Sequence, residues 1–269
     1  MSRVVVARVL FGVLVLSALC QFVVGSRGDA LALSIAAIVA TSALVASIAG
    51  FAFCALAGSA FAFLRLDPVY SVHTLVTCST AIQLYAVWRI RDAIRWRPLW
   101  PMIVAGASAV PLGVWMLRHV DGAVYAIGLG VFLSAYGGYM AFRREWRARN
   151  GSAWIDALAG ALGGLTGGLA GLPAPSVTIW CSMRGWDSLT QRATYQPFIL
   201  AMQVECIVCL HVQDLTASFS LNDLQLVAFA MAGGIAGFAL YQRMTRRQFH
   251  VVTSTLLVAS GLGLLARAL

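Results

Sequence analysis

Glycine and proline interrupt an otherwise apolar stretch from Ile155 to Met183, at Gly163, Gly164, Gly167, Gly168, Gly171, Pro173 and Pro175. Carried through as one helix, its 29 residues would reach roughly 43 Å, whereas about 20 residues cross the roughly 30 Å hydrocarbon core of a bilayer. The stretch is therefore expected to enter a membrane, break near Leu172 to Pro175 and return. A second over-long run, Ala30 to Leu64, would measure roughly 52 Å as one helix; Gly50 divides it into Ala30 to Ala49 and Phe51 to Leu64. Each break starts a new helix inside protein, where unpaired N–H groups and about half a positive charge can hold an anion without a buried Lys or Arg. The residues expected to form that anion site are Gly50, Phe51 and Ala52 at one break and Gly171, Leu172, Pro173, Ala174, Pro175 and Ser176 at the other. Close helix packing is the competing use of such small residues.

The span after each break is unusually polar. Ser71 to Val87 carries His73, Thr74, Thr77, Cys78, Ser79, Thr80, Gln83 and Tyr85; Ala193 to Val212 carries Thr194, Gln196, Gln203, Glu205, Cys206, Cys209 and His211. Hydroxyls and amides bind anion oxygens without adding fixed charge, so Thr74, Thr77, Thr194, Gln196 and Gln203 join the expected substrate site. Bonds between helices are their other use. Glu205 lies near the middle of its span, where a carboxylate is costly and burial favours its protonated form; a coupling proton is the role it suggests. No His, Cys and carboxylate spacing reads as a metal site, so neither metal nor cofactor is expected, and no catalytic group stands out. Cys206 and Cys209, at i and i+3, keep open a membrane-embedded thiol or redox enzyme, and an assembly partner without transport of its own is a third possibility. Asp156 is expected to serve the first turn of its helix.

Composition fixes the setting of these residues. The chain of 269 residues is 60% hydrophobic and 11% charged, against roughly 25% charged in a soluble domain. An all-α polytopic membrane protein follows. The net charge of +9 comes from arginine alone among the basic residues, and its clustering between apolar runs marks membrane-flanking loops, not a nucleic-acid surface. Further spans read as Val4 to Val24, Leu99 to Leu117, Ala123 to Phe142, Leu224 to Leu240 and Phe249 to Leu265. The first, with Arg3 and Arg8 ahead of it, also has the look of a secretory signal, but its length favours a membrane span.

With the N-terminus inside and both over-long runs returning to their own side, 15 of the 19 arginines face the cytoplasm, as the positive-inside bias requires. The expected organisation is an N-terminal helix (1–29), a first repeat (30–142), a basic cytoplasmic loop (143–154) and a second repeat (155–269). Each repeat is a broken-helix hairpin followed by three spans, and the two are inverted relative to one another. Ala49-Gly50-Phe51-Ala52-Phe53 lies over Ala170-Gly171-Leu172-Pro173-Ala174, and Arg65-Leu66-Asp67 near Gly185-Trp186-Asp187. Inverted repeats with discontinuous helices meeting at mid-membrane are a secondary-transporter architecture.

The run Gly163-Gly164-Leu165-Thr166-Gly167-Gly168-Leu169-Ala170-Gly171-Leu172-Pro173-Ala174-Pro175, followed by Asp187 and then Arg192-Ala193-Thr194, resembles the second-repeat signature of the sulfite exporter TauE/SafE family of membrane transporters. Repeat length, the basic loop between repeats and total size are also similar to that family. The first repeat departs from the pattern, with one Gly and no Pro in Ala49-Gly50-Phe51-Ala52-Phe53-Cys54. The resemblance implies export of a sulfur-containing anion, sulfite or a small organosulfonate, across a bacterial cytoplasmic membrane. Import of a related anion is the alternative.

Overall fold

The computed structural model describes residues 30–49, 52–142, 152–213, 221–241 and 246–268. Every regular element among them is helical: α1 (Ala30–Ala49), α2 (Phe53–Phe63), α3 (Pro68–Ile90), a short 3-10 turn (Arg91–Ala93), α4 (Trp96–His119), α5 (Gly122–Phe142), α6 (Ala153–Ala170), α7 (Ala174–Met183), α8 (Ser188–Val212), α9 (Leu221–Tyr241) and α10 (Arg246–Ala268). Four of them, α4, α5, α6 and α8, are long and apolar enough to cross a membrane. The expected span Val4 to Val24 and the loop 143–151 lie outside the described residues.

The interior helices begin where local chemistry permits. Asp67 caps α3 by accepting from Tyr70 N at 2.8 Å, with Pro68 at the first helical position, where its missing N–H removes an orphan donor. Asp187 caps α8 from Leu189 N and Thr190 N at 3.1 and 3.2 Å. The Thr190 hydroxyl and these backbone donors hold its carboxyl below the usual carboxylate range. Because of these caps α3 and α8 start three and five residues earlier than the apolar runs alone suggest (Pro68 against Ser71, Ser188 against Ala193). Two residues before each cap the chain turns left-handed, at Arg65 (φ 58°) and Gly185 (φ 66°). The weak match of Arg65-Leu66-Asp67 to Gly185-Trp186-Asp187 is thus a matched turn and cap.

Both over-long runs fold back on themselves. Phe53 at the start of α2 shares a cavity with Ala46 and Ser47 near the end of α1, while Ile38 shares a hollow with Ser59, Ala60 and Phe63. The limbs are antiparallel. In the second run the Ser176 hydroxyl donates to Ala159 O at 2.9 Å and Trp180 Nε1 donates to Asp156 Oδ1 at 2.6 Å, which again aligns α7 antiparallel to α6.

Helix pairing follows one scheme in both halves. α1 packs along α9 as α6 packs along α4, while α3 pairs with α8 and α5 with α10. The first hairpin opens at the Pro68 end of α3, through the Arg65–Asp67 turn. At the other end Arg89 and Ile90 share a cavity with Leu189 and Arg192 in the first turns of α8, so the second hairpin opens there. Small residues let the paired backbones touch: a Cβ on Gly160, Gly164 or Gly168 of α6 would collide with backbone of Met102, Gly106 or Val110 in α4, and one on Gly233 or Gly237 of α9 with Ala40 or Leu44 in α1. Such contact replaces the hydrophobic drive that lipid does not supply.

Gly164→Ala is expected to lower thermal stability in detergent by about 1–3 kcal/mol, the usual cost of overpacking. Gly138→Ala in α5, where nothing lies within 4 Å of the added carbon, is the control and should leave the melt unchanged.

Candidate functional site

Of the two breaks, the second resolves its own backbone. Gly171 takes φ 66°, the left-handed conformation that closes a helix with one amide bond back to the preceding turn. Its N–H donates to Gly167 O at 2.8 Å, and Leu172 N donates to Thr166 O at 3.1 Å. The Thr166 hydroxyl then reaches across the gap to Leu172 O at 2.8 Å. α7 starts at once, but Pro173 precedes its first residue and Pro175 is its second. Neither carries an N–H, so Ala174 and Ser176 are the amides left to point at a ligand. The N–H-rich tip expected at this break is therefore reduced to two donors by proline chemistry. Leu172, Pro173, Ala174 and Pro175 are buried, and Ser176 is half-buried with its hydroxyl committed to α6.

The first break differs. Ala52, 1% exposed, precedes α2, and no side chain caps the N–H groups that follow it. Gly50 and Phe51 lie outside the described residues. The two breaks are neighbours: a Cβ built on Gly171 would stand 3.2 Å from Val76 Cγ1 and 3.8 Å from Cys54 Sγ, in the first turn of α2.

Polar side chains from α3 and α8 surround this meeting point. Gln203 Nε2 donates to Ser79 Oγ at 2.7 Å and approaches Cys54 Sγ at 3.9 Å, and the thiol is 3.8 Å from Leu75 O. Gln203 is 2% exposed, and its Oε1 has no hydrogen-bond partner among the described residues. Because a hydroxyl donates or accepts, Ser79 can keep its bond to either end of the Gln203 amide. Turning the amide over presents N–H₂ in place of the carbonyl oxygen, which suits an anion.

Ser79 also lines a cavity of about 140 Å³ between α1, α2, α3, α8 and α9. Gln83, Gln196, Arg89 and Arg192 are among the residues that line it. At roughly 30 Å³ per water, it has room for a compact oxyanion or a few waters.

The remaining expected residues divide. Thr74 is buried, and Thr77 is half-buried with its hydroxyl unpartnered among the described residues. Thr194 is fully buried and donates to Thr190 O at 3.0 Å within its own helix. Glu205 is half-buried beside the exposed Val204 and Val208; two residues on from Gln203, it is turned about 200° around α8 from it and is not part of the cavity wall. His73 and His211 meet across α3 and α8 with ring centroids 5.7 Å apart and planes tilted by 53°. Cys206 is fully buried and Cys209 half-buried, both as free thiols, and no group of three His, Cys, Asp or Glu side chains able to hold a metal exists among the described residues.

Sequence reasoning missed three features. Asp156 does sit in the first turn of α6, but its main partners are Arg184, 2.9 Å away, and Trp180. With the Arg184 guanidinium 4.5 Å from the Trp186 ring centre, these groups clamp the open end of the second hairpin. Cys54 is not among the expected site residues, although its place two residues after Ala52 marks it as a break residue. Arg89 and Arg192 read as loop charges, and only helix length brings them to a cavity.

Comparison with known proteins gives one match: the family model described as Sulfite exporter TauE/SafE covers residues 33–264. No curated protein and no solved structure matches the chain.

Gly171→Ala is expected to cost about 1–2 kcal/mol from the left-handed backbone alone, with a further penalty from Val76. Thr166→Val, which frees Leu172 O, should lower stability by about 1–3 kcal/mol. Thermal unfolding in detergent reads both.

Proposed function

We propose, from the premise that the chain belongs to the sulfite exporter TauE/SafE family and is therefore a membrane transporter, that it exports sulfite or a small organosulfonate across a bacterial cytoplasmic membrane. In this reading the halves 30–142 and 155–269 are inverted repeats, with the N-terminus and the arginine-rich loop 143–154 inside. The hairpins that open at opposite ends of α3 support it. The anion is held where the breaks meet, at Ala52 to Cys54 and Gly171 to Ser176, with the amide of Gln203 turned toward it and Thr74 and Thr77 completing the surroundings.

The observation that carries this is the approach of Gly171 to Cys54, with room for no more than an added Cβ between them, beside the buried, half-satisfied amide of Gln203. Partial charges on amides are weaker than a buried guanidinium, and a carrier must release what it binds. Export needs no dedicated energy source: an inside-negative potential drives an anion outward by about 2.3 kcal/mol per charge per 100 mV. Glu205 would couple protons, if at all, through movement of α8 and not by touching the anion. The thiol-enzyme reading finds no support in Cys206, which is sealed from any reagent in this conformation.

Proteoliposomes presented with sulfite, thiosulfate, sulfoacetate, taurine and sulfate test the reading. Sulfite or an organosulfonate should move, Gly171→Leu should abolish flux while the protein still inserts, and a chain with every Cys replaced by Ala should keep most of it. Full transport by Gly171→Leu would remove the site; loss of activity in the Cys-free chain would favour the enzyme. Glu205→Gln alters the pH dependence of flux if a proton travels with the anion through that carboxyl, and leaves it unchanged otherwise.

A further inference from the structure

We propose that the turn joining α3 to α4 is a docking surface for an anionic phospholipid, whose phosphate sits on Arg95 and Arg97 and whose acyl chains lie along the outer face of α4. This needs only that α4 crosses a membrane and does not depend on what the chain transports. Between Arg89 and Trp100 the sequence carries four arginines and one acid, Asp92. Asp92 pairs with Arg91 at 3.8 Å, and Arg91 also donates to Trp88 O at 3.3 Å and stands over the Trp88 ring at 5.5 Å. Arg95 and Arg97 are both exposed, and the first turn of α4 contains no acidic residue. Neither side chain has an ion-pair or hydrogen-bond partner among the described residues.

Tryptophan fixes the depth of these charges, because exposed Trp settles at the boundary between headgroups and hydrocarbon. Trp96 and Trp100 are 54% and 55% exposed with ring centres 6.1 Å apart, and Trp115, 54% exposed, stands near the other end of the helix. The rise from Trp96 to Trp115 is roughly 28 Å, close to the roughly 30 Å of a hydrocarbon core. Arg95 and Arg97, on either side of Trp96 in sequence, therefore lie in the phosphate layer of one leaflet. Forked guanidinium donors suit a phosphodiester there. At the Trp115 end a single arginine, Arg118, is followed by Asp121, so the two leaflets are not equivalent. Trp96, Trp100 and Val104 recur every fourth residue and form one stripe on α4, and Val104 is 65% exposed. An acyl chain covers that stripe, whereas a free phosphate would engage the charges and leave it bare. Charge and apolar surface together thus select a lipid as the occupant.

Tryptophan fluorescence of the full chain, reconstituted in dioleoylphosphatidylcholine bilayers and quenched by phospholipids brominated on their acyl chains, tests this. Brominated phosphatidylglycerol should quench with an apparent affinity at least roughly fivefold that of brominated phosphatidylcholine, the attraction of one arginine for an anionic headgroup, and added salt should shrink the difference. Trp96→Phe with Trp100→Phe should remove the excess quenching, which assigns it to this stripe. Arg95→Gln with Arg97→Gln should erase it as well, whereas Arg95→Lys with Arg97→Lys should keep most of it, which separates lost charge from misfolding. Inorganic phosphate at matched ionic strength should leave the excess in place. Equal quenching by the two lipids, or an excess that survives neutralisation of both arginines or loss of both tryptophans, overturns the proposal. An excess abolished by inorganic phosphate overturns it too, since the occupant is then a free anion.

Discussion

A helix that stops in apolar surroundings leaves backbone groups that cost several kcal/mol each when unpaired, and the two hairpin tips of this protein answer that constraint differently. At the second, the left-handed Gly171, the Thr166 hydroxyl and two prolines either pair the loose groups or delete them. At the first, the amides beginning at Ala52 enter α2 with no side chain to cap them. At the second tip the amides of Ala174 and Ser176 are what remains for the proposed anion, while Gly171 stands beside Val76 and Cys54. The proposed site is asymmetric although the architecture repeats.

Everything else holds these tips in place. α6 lies against α4, and α9 against α1, at distances that only glycine permits. At the open end of the second hairpin, Asp156 receives both Trp180 and Arg184. A buried carboxylate of this kind is tolerated because it is paired and hydrogen-bonded, and it pins α7 to the start of α6. The tip can then stay where the packing puts it, even though Gly171 has no side chain that would hold it. Tyr136 of α5, bonded to Thr178 of α7 at 2.8 Å, ties the short limb to a third helix.

Of the cavity's polar lining, Arg89 is exposed and Arg192 half-buried, while Ser79, Gln83 and Gln196 are buried, as expected where a guanidinium would be costly to desolvate. Glutamine is suited to the inner position because its amide offers donors on one side and an acceptor on the other. The hydroxyl of Ser79 accommodates either face. A single side chain can thus keep its bond to Ser79 whichever end of its amide faces the gap.

The sequence by itself determined that this is a helical membrane protein, that two runs are too long to cross once, and where each breaks, because hydrophobic length and the backbone demands of Gly and Pro are local properties. It also singled out Gly171, Pro173 and Gln203 as expected site residues. Only the tertiary structure decided that Cys54 faces Gly171, that Gln203 bonds Ser79, that Arg89 and Arg192 flank one cavity while Glu205 stands away from it, and that Asp156 locks a hairpin. Those relations join residues 28 to 124 positions apart or set one helix face against another, and helix packing and rotation, which fix them, leave no mark in the local order of residues.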